Sequence, residues 1–587
     1  MNSCLIPSLP QTDPDPNDRA ARIARDRAVY RINRDYHRLP FPEQVPWKDE
    51  FSIHYLAKLA ALQGILTTNE RLSDIQAWRT SPDGAPLDEL RHSLQSAQTQ
   101  LLNRLWGPPR SVQTPPYTQR IPLQIADYEA LFQLIEPPLA QRYWREDWYF
   151  AWQRVAGTNP TQLRLVTESV NTLPVSESRY EQIMLGDRLT AAHGEGRLFL
   201  AEFPILQGIP SGFSEGWRKY LCAPRALFAL DRLRTQLHPV AIQWEAQGGS
   251  SPACFTPLDG ATWQMAKTVF QVADSNYHGV VLHGTYCHMI VGMVAICTYR
   301  TLSSNHPVRI LLHPHFQFTV PIHAATQSVF GPGGRTATLQ SVSLEGLLEL
   351  SQRGLDAFNW REQSAPYAFE RAGVLSQETL PDYPYRDDAL RHWQAIHGFV
   401  AHYIDLYYSS DQDVAEDVEV QQWLRELGAP EGANLRGVGD NHGQVQTLAA
   451  LTTLVAQIIH RATAYHAAIN YSVFADMSFA PSMPAAAYAP PPESGHPYGS
   501  DDLLAMLPPR SLALYQIADV FVVGNLRVNT LGQYGCDDFG DRRVLPLIAA
   551  FQSELHQIEF EIAARNKSQP APYNILLPSR VAASIHI

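Results

Sequence analysis

The chain has 587 residues, 45% of them hydrophobic and 10% aromatic, which is ample for a large core. Its 46 basic and 58 acidic residues leave a net charge of −12, so composition offers no basic footprint for nucleic acid. Six scattered cysteines (Cys4, Cys222, Cys254, Cys287, Cys297, Cys536) form no CxxC pair, which argues against a cysteine-rich zinc site or a disulfide scaffold and for reduced thiols in a cytoplasmic protein.

The first residues, MNSCLIPSLPQTDPDPND, contain no basic stretch leading into an apolar one, so no signal peptide is expected. Residues 17–38 are charged and helical in spacing, with Pro40, Pro42 and Pro46 as the stop. From Phe51 to about Arg71, the apolar residues Ile53, Leu56, Leu59 and Leu62 recur near helical spacing. Residues 77–118 read as surface loops around one helix near 86–106. Beyond residue 260 helical signals dominate. Residues 262–300 have few breakers, and their longest uninterrupted apolar run, Met289 to Cys297 counting Gly292, is too short to span a bilayer. Further helices are expected at 385–409, 412–427, 444–474, 501–507, 510–518 and 542–564. The Ala/Pro-rich piece 480–496 must be a loop, because Pro490, Pro491 and Pro492 cannot continue a helix. The last 23 residues hold only short extended segments. No repeat or long linker interrupts the chain, and the pattern implies one large, mainly α domain around a long central helix with minor β.

His278, His283 and His288 lie five apart in YHGVVLHGTYCH. Five residues of a regular α-helix turn about 500°, so such side chains do not share a face. A local widening to i→i+5 hydrogen bonding would align them. His466 and Asn470 in TAYHAAINYSVF are four apart and share a face on an ordinary helix. His313, His315 and His323 offer a second candidate cluster on an extended segment. The plainer alternative for all of them is a set of hydrogen-bonded core histidines, and imidazole would suit iron, copper, nickel or zinc alike.

The run His283-GTYC-His288-MIVGMVAICTY-Arg300-TLSSN-His306-Pro307-VRILLHP-His315 resembles the lipoxygenase signature H-x4-H-x11-R-x-L-x3-H-P followed by L-L-x-P-H. Asp147-WY-Phe150-AW-Gln153-Arg154-V-Ala156-Gly157-T-Asn159-Pro160 is similar to the family's DxxFxxQRLAGxNP. HPVAIQW (238–244), WQMAK (263–267), YPYRDDAL (383–390) and the tail LLPSRVAASIHI also have counterparts, so the likeness runs from about residue 147 to the end.

The resemblance implies one non-haem iron held by His283, His288, His466, Asn470 and the C-terminal carboxylate of Ile587, with His278, His306 and His315 structural. A residue appended after Ile587 is then expected to abolish iron binding. It further implies hydrogen-atom abstraction by Fe(III)–OH from the methylene between two cis double bonds, then addition of O2 to give a fatty-acid hydroperoxide. Substrates of the linoleate, linolenate or arachidonate type follow, with no nucleic acid, no transmembrane segment and room for peripheral membrane contact. Residues 1–75 are read as a helical extension packed on a catalytic domain of residues 76–587, without the lipid-binding β-barrel of the PLAT type, as in bacterial and particularly cyanobacterial members.

Four departures concern the substrate pocket. The family's INxxAR reads Ile322-His323-Ala324-Ala325-Thr326-Gln327, and Thr326 stands where Ala goes with S products and Gly with R products. Its bulk is nearer Ala, which leans toward S. Phe330 replaces a branched apolar residue that clamps the pentadiene, and Thr326 and Phe330 are the expected substrate contacts. Plant members pair two glutamines where this chain has Gly279 and Val473, so both partners are missing together. Other readings are a fatty-acid hydroperoxide isomerase or lyase on the same fold, a non-catalytic lipid-binding relative, which should have lost a ligand position, and a zinc hydrolase, which an amide and a terminal carboxylate suit less well.

Overall fold

A segment that is apolar around its whole circumference can only be stable where protein covers every side. The computed structural model, which describes residues 6–79, 124–245, 252–440, 442–535 and 538–587, puts Ala261–Thr301 in that position. This helix is long and apolar enough to cross a membrane by length and composition, yet 94% of its most apolar window is buried inside the protein. It is α-helical over Ala261–Tyr277, π-helical over His278–Met289 and α-helical again over Ile290–Thr301.

Around it pack Pro16–Val29, Thr319–Val329, Leu344–Ala357 and Val418–Gly428, together with the helix 448–470. Pro384–Ile404 lies against Leu448–His460 on one side and Leu545–Asn566 on another. The N-terminal helix is pinned through Arg19, whose buried guanidinium meets Glu419 at 2.5 Å and Asp13 at 2.7 Å. Helix Ile53–Arg79 packs on Arg510–Asn525.

Strand structure is minor, as the sequence implies. Arg164–Leu165, Leu198–Glu202, Arg225–Leu230, Leu237–Trp244 and Ala253–Phe255 form an antiparallel sheet with each strand beside the next. Both faces are covered. Phe199, Ala201, Phe228 and Ile242 join the main core, while Leu198, Leu200, Leu227 and Ala229 pack against Tyr180, Leu189 and Ala192. Among the described residues before Asp147, β structure is limited to Ile32–Asn33 paired with Phe41–Pro42.

Two expected elements are corrected. The helix placed at 17–38 ends at Val29. Tyr30 is drawn into the core, its ring 4.7 Å from Tyr299 and its hydroxyl 2.6 Å from Asp49, so burial of one aromatic overrides a helical pattern that prolines alone would have ended later. The helix placed at 412–427 is two, Asp411–Glu416 and Val418–Gly428. Asp417 divides them because its carboxylate accepts the N–H groups of Glu419 and Val420 and also binds His306 and Tyr408. The expected loop at 480–496 contains no helix, and 444–474 contains the helix 448–470. The helix expected near 86–106, Cys4 and Cys536 lie outside the described residues.

Candidate metal centre

In a π-helix residues five apart stack on one another, and the segment His278–Met289 has this form. Thr285 Oγ1 donates to the Val280 carbonyl five residues back at 2.7 Å, which occupies an acceptor the widening exposes. The His278 and His283 rings consequently stack with centroids 5.7 Å apart, and His283 meets His288 edge-on at 4.4 Å. The spacing that was wrong for an α-helix is right for this one.

The helix 448–470 supplies the other side. It contains a second π segment, Arg461–Tyr465, which spacing did not announce, and then an α-helical turn, His466–Asn470. One donor nitrogen from each of His283, His288 and His466 lies within 4.8 Å of the others, and the His283 and His288 Nε2 atoms are 2.9 Å apart. Among the described residues no other group of three or more His, Cys, Asp or Glu side chains comes together in this way. Asn470 Nδ2 donates to the Val523 carbonyl at 2.7 Å, which fixes the amide and leaves its Oδ1 buried without a partner. His288 Nδ1 and both His466 nitrogens are likewise buried without partners.

Burial holds all these imidazoles neutral. It drives His283 and His288 well below the usual histidine range, with the neighbouring rings adding to the effect. Burial also lowers His466 to about 3, against the opposing influence of the Ile587 main chain beside it. Neutral imidazoles offer lone pairs, and leaving several buried polar atoms unpaired is costly unless a ligand satisfies them. The donor set therefore fits a divalent cation such as the iron used by non-haem enzymes.

A buried polar network ties the two helices to Asp147–Ala156. Asp147 Oδ1 accepts from Trp263 Nε1 and Lys267 Nζ, each at 2.8 Å. Arg154 pairs with Asp274 and donates to Gln271 Oε1 at 2.8 Å, and Asn159 donates to the Asp274 carbonyl at 2.7 Å. Gln153 bridges to Asp476, just beyond the helix 448–470, at 3.1 Å. Asp147, Gln153, Arg154, Asn159, Trp263 and Lys267 belong to the 147–160 and 263–267 motifs, and with their partners Gln271, Asp274 and Asp476 they tie the two histidine-bearing helices to Asp147–Ala156.

The remaining histidines have other duties. His278 Nδ1 lies 3.2 Å from the Thr158 carbonyl. His306 caps the helix Pro307–Leu312 and contacts Asp417 at 3.0 Å. His315 uses both nitrogens, on the Ala583 carbonyl at 2.8 Å and the Tyr534 hydroxyl at 3.2 Å, and so moors the C-terminal segment. His313 pairs with the Tyr299 hydroxyl and His323 with the Pro40 carbonyl, so the second candidate cluster is not brought together.

His283, His288 and Ile587 line a largely apolar cavity together with Thr326, Phe330 and Gln340. The Thr326 hydroxyl donates to the Ile322 carbonyl at 3.0 Å, which engages its polar atom within its own helix. Phe330 presses on the π-helix at Gly284, where a Cβ would lie 2.2 Å from its ring. Five residues earlier Gly279 receives the Gln340 amide, where a Cβ would lie 1.8 Å from Nε2. Val473 also lines the cavity. Gln340, the Arg335–Asp519 ion pair at 2.8 Å and the Val523 carbonyl escaped the sequence reading. The one signal for them was the five-residue register of Gly279 and Gly284 beside that of the histidines.

Residues 120–574 match the family model described as Lipoxygenase. The chain is 33% identical over 481 residues to a linoleate 9/13-lipoxygenase of Pseudomonas aeruginosa, covering 78% of this chain and 69% of that one. It is 29% identical over 450 residues to a human hydroperoxide isomerase, covering 76% and 63%. Its fold superimposes on a calcium-dependent 11R-lipoxygenase with a TM-score of 0.82 at 25% identity, over 99% of this chain and 83% of that one. The chain belongs to the lipoxygenase family, the non-haem-iron dioxygenases of fatty acids.

Proposed function

We propose that this chain inserts O2 into polyunsaturated fatty acids carrying a 1,4-cis,cis-pentadiene, of the linoleate, linolenate or arachidonate type, to give hydroperoxides. One iron would be held by His283, His288, His466, Asn470 and the terminal carboxylate of Ile587. The observation that carries the reading is the cluster of neutral, buried histidines from two helices, with the unpartnered amide oxygen of Asn470, beside an apolar cavity that His283, His288 and Ile587 line. When bound, non-haem iron supplies the one-electron chemistry that removes a hydrogen atom from the doubly allylic methylene.

The protein's own residues do the rest by position. Val329, Leu339 and Val520 exclude water and hold alkyl chain. Phe330 and Thr326 set how deep the pentadiene sits, and the bulk at Thr326 favours S products. Arg335, the single lysine or arginine among the described lining residues, is placed for the substrate carboxylate. Trp47 and Ile53 are 86% and 87% exposed beside the lining residues Phe51 and Tyr55, a fit for peripheral contact with lipid at the mouth. The four described cysteines are all free thiols, as suits a cytoplasmic enzyme.

The test is to load the protein with iron, add linoleate and arachidonate, follow conjugated-diene absorbance and resolve the products on a chiral column. A diene product of S configuration is expected. No diene from either substrate despite bound iron overturns the proposal. A second reading, isomerisation of a preformed hydroperoxide, follows if the packing of Phe330 onto Gly284 limits access for oxygen. It predicts consumption of added hydroperoxide without O2 uptake.

A further inference from the structure

All but one of the buried arginines among the described residues meet a carboxylate, as Arg19, Arg154, Arg197, Arg309, Arg386 and Arg510 do. Arg461, 2% exposed, makes no such pair among the described residues. Its guanidinium lies over two rings instead, 5.1 Å from the centroid of Phe358 and 4.4 Å from that of Tyr465, and its Nη2 donates to Gln363 Oε1 at 2.9 Å. A buried charge without a counter-charge is costly, and an apolar side chain would fill the place at less cost. What the guanidinium adds is direction, because a rigid, planar cation prefers rings across its faces and an acceptor at its edge.

The groups it fixes bear on both π segments. Tyr465 precedes His466, and the Phe358 ring meets Tyr286, which lies between His283 and His288 in the chain, edge-on at 4.9 Å. Arg461 also opens the second π segment. Its own N–H donates to the Gln457 and Ile458 carbonyls, within the reach of an α-helix, whereas the His466 N–H donates to the Arg461 carbonyl five residues back. A return to i→i+4 bonding there would carry His466 about 100° round the helix axis, away from His283 and His288. Thr463 Oγ1 donates to the Ile459 carbonyl at 2.6 Å, but Thr298 makes the same bond to Val294 in an ordinary α-helix, so this contact does not select the wider register.

We propose that Arg461 is a positioning residue for the metal centre, its side chain holding the 461–465 segment in the π register that sets His466 beside His283 and His288. The inference rests on the reading of those histidines as metal ligands and adds a residue whose side chain is not a ligand.

The test titrates metal-free protein with Co(II), reading affinity by competition with a fluorescent chelator and ligand geometry from the visible absorption of the bound ion. In Arg461→Met the affinity should fall on the order of ten- to a hundredfold, as for loss of a group that orients metal ligands, and the visible bands should move. Arg461→Lys, which keeps a cation over the rings, should recover part of the affinity. Wild-type affinity and an unchanged spectrum in folded Arg461→Met overturn the proposal, even with a lowered urea midpoint, because that is the signature of a purely structural role. Should Arg461→Met not fold, Gln363→Met carries the test: removing the acceptor should weaken Co(II) binding about threefold, and an unchanged affinity overturns the proposal. Failure of the wild-type protein to take up Co(II) would instead remove the ligand reading beneath it.

Discussion

The two sides of the cavity are built by different rules. The metal side is made of helix backbone, where the positions of His283, His288, His466 and Asn470 follow from π and α periodicity and from a network anchored on Asp147, Arg154 and Gln153. The rest of the lining includes insertions, with Phe330 and Gln340 pushed into notches that exist only because Gly284 and Gly279 have no Cβ. The difference teaches that in this fold the chemistry is set by local repetition and the fit to substrate by remote packing.

The largest effect should come from the metal side. His288→Ala should cost iron occupancy and on the order of a thousandfold or more in diene formation. Thr326→Gly on the other side should leave iron content intact and move product configuration toward R. Metal analysis and chiral chromatography of the two variants separate the roles, and iron loss in Thr326→Gly would erase the distinction.

Next in size is a change in the packing of the notch. Gly284→Ala places a methyl 2.2 Å from the Phe330 ring and should lower stability by about 1–3 kcal/mol, as overpacking does. Adding Phe330→Leu should recover most of that loss in a thermal melt. A double variant no more stable than Gly284→Ala would show that the two positions are not coupled.

Moorings of comparable worth should show a pH dependence. Burial lowers His315 to about 4, below the 6.5 of an exposed histidine. A histidine depressed in the folded state stabilises fully above the unfolded pKa and loses that contribution as pH falls through the folded one. The stability advantage of wild type over His315→Gln should therefore be greatest above pH 6.5 and shrink toward pH 4, by at most on the order of 3 kcal/mol. Urea midpoints across that range give the answer, and an advantage that grows on acidification contradicts it.

The smallest effect should be at the mouth. Arg335 and Asp519 are partly exposed, so their pair is weak and easily exchanged for a substrate carboxylate. Arg335→Leu should raise KM for a free fatty acid by about three- to tenfold and leave its methyl ester unaffected.

Much of this could be read from the sequence. The five-residue histidine spacing demanded a π-type widening, and the structure has one over His278–Met289. The helix 448–470, the loop at 480–496 and the mainly helical fold also followed from pattern and proline placement. What escaped was decided by distant partners. Tyr30 ended a helix early because Tyr299 and Asp49 were waiting for it, and Asp417 split another because it had three sets of donors to satisfy. Gly279 looked like the simple loss of a side chain, whereas the space is filled by Gln340 from another element, a pairing no local spacing encodes.

The central claim is that His283, His288, His466 and Asn470 hold one iron beside Ile587. The direct measurement is iron content and X-ray absorption of the purified wild-type protein and of His466→Ala, prepared identically. The account predicts about one iron per chain with imidazole scattering in the wild type, and loss of most of that iron in the variant. Full iron occupancy in His466→Ala, with an unchanged coordination shell, would contradict it.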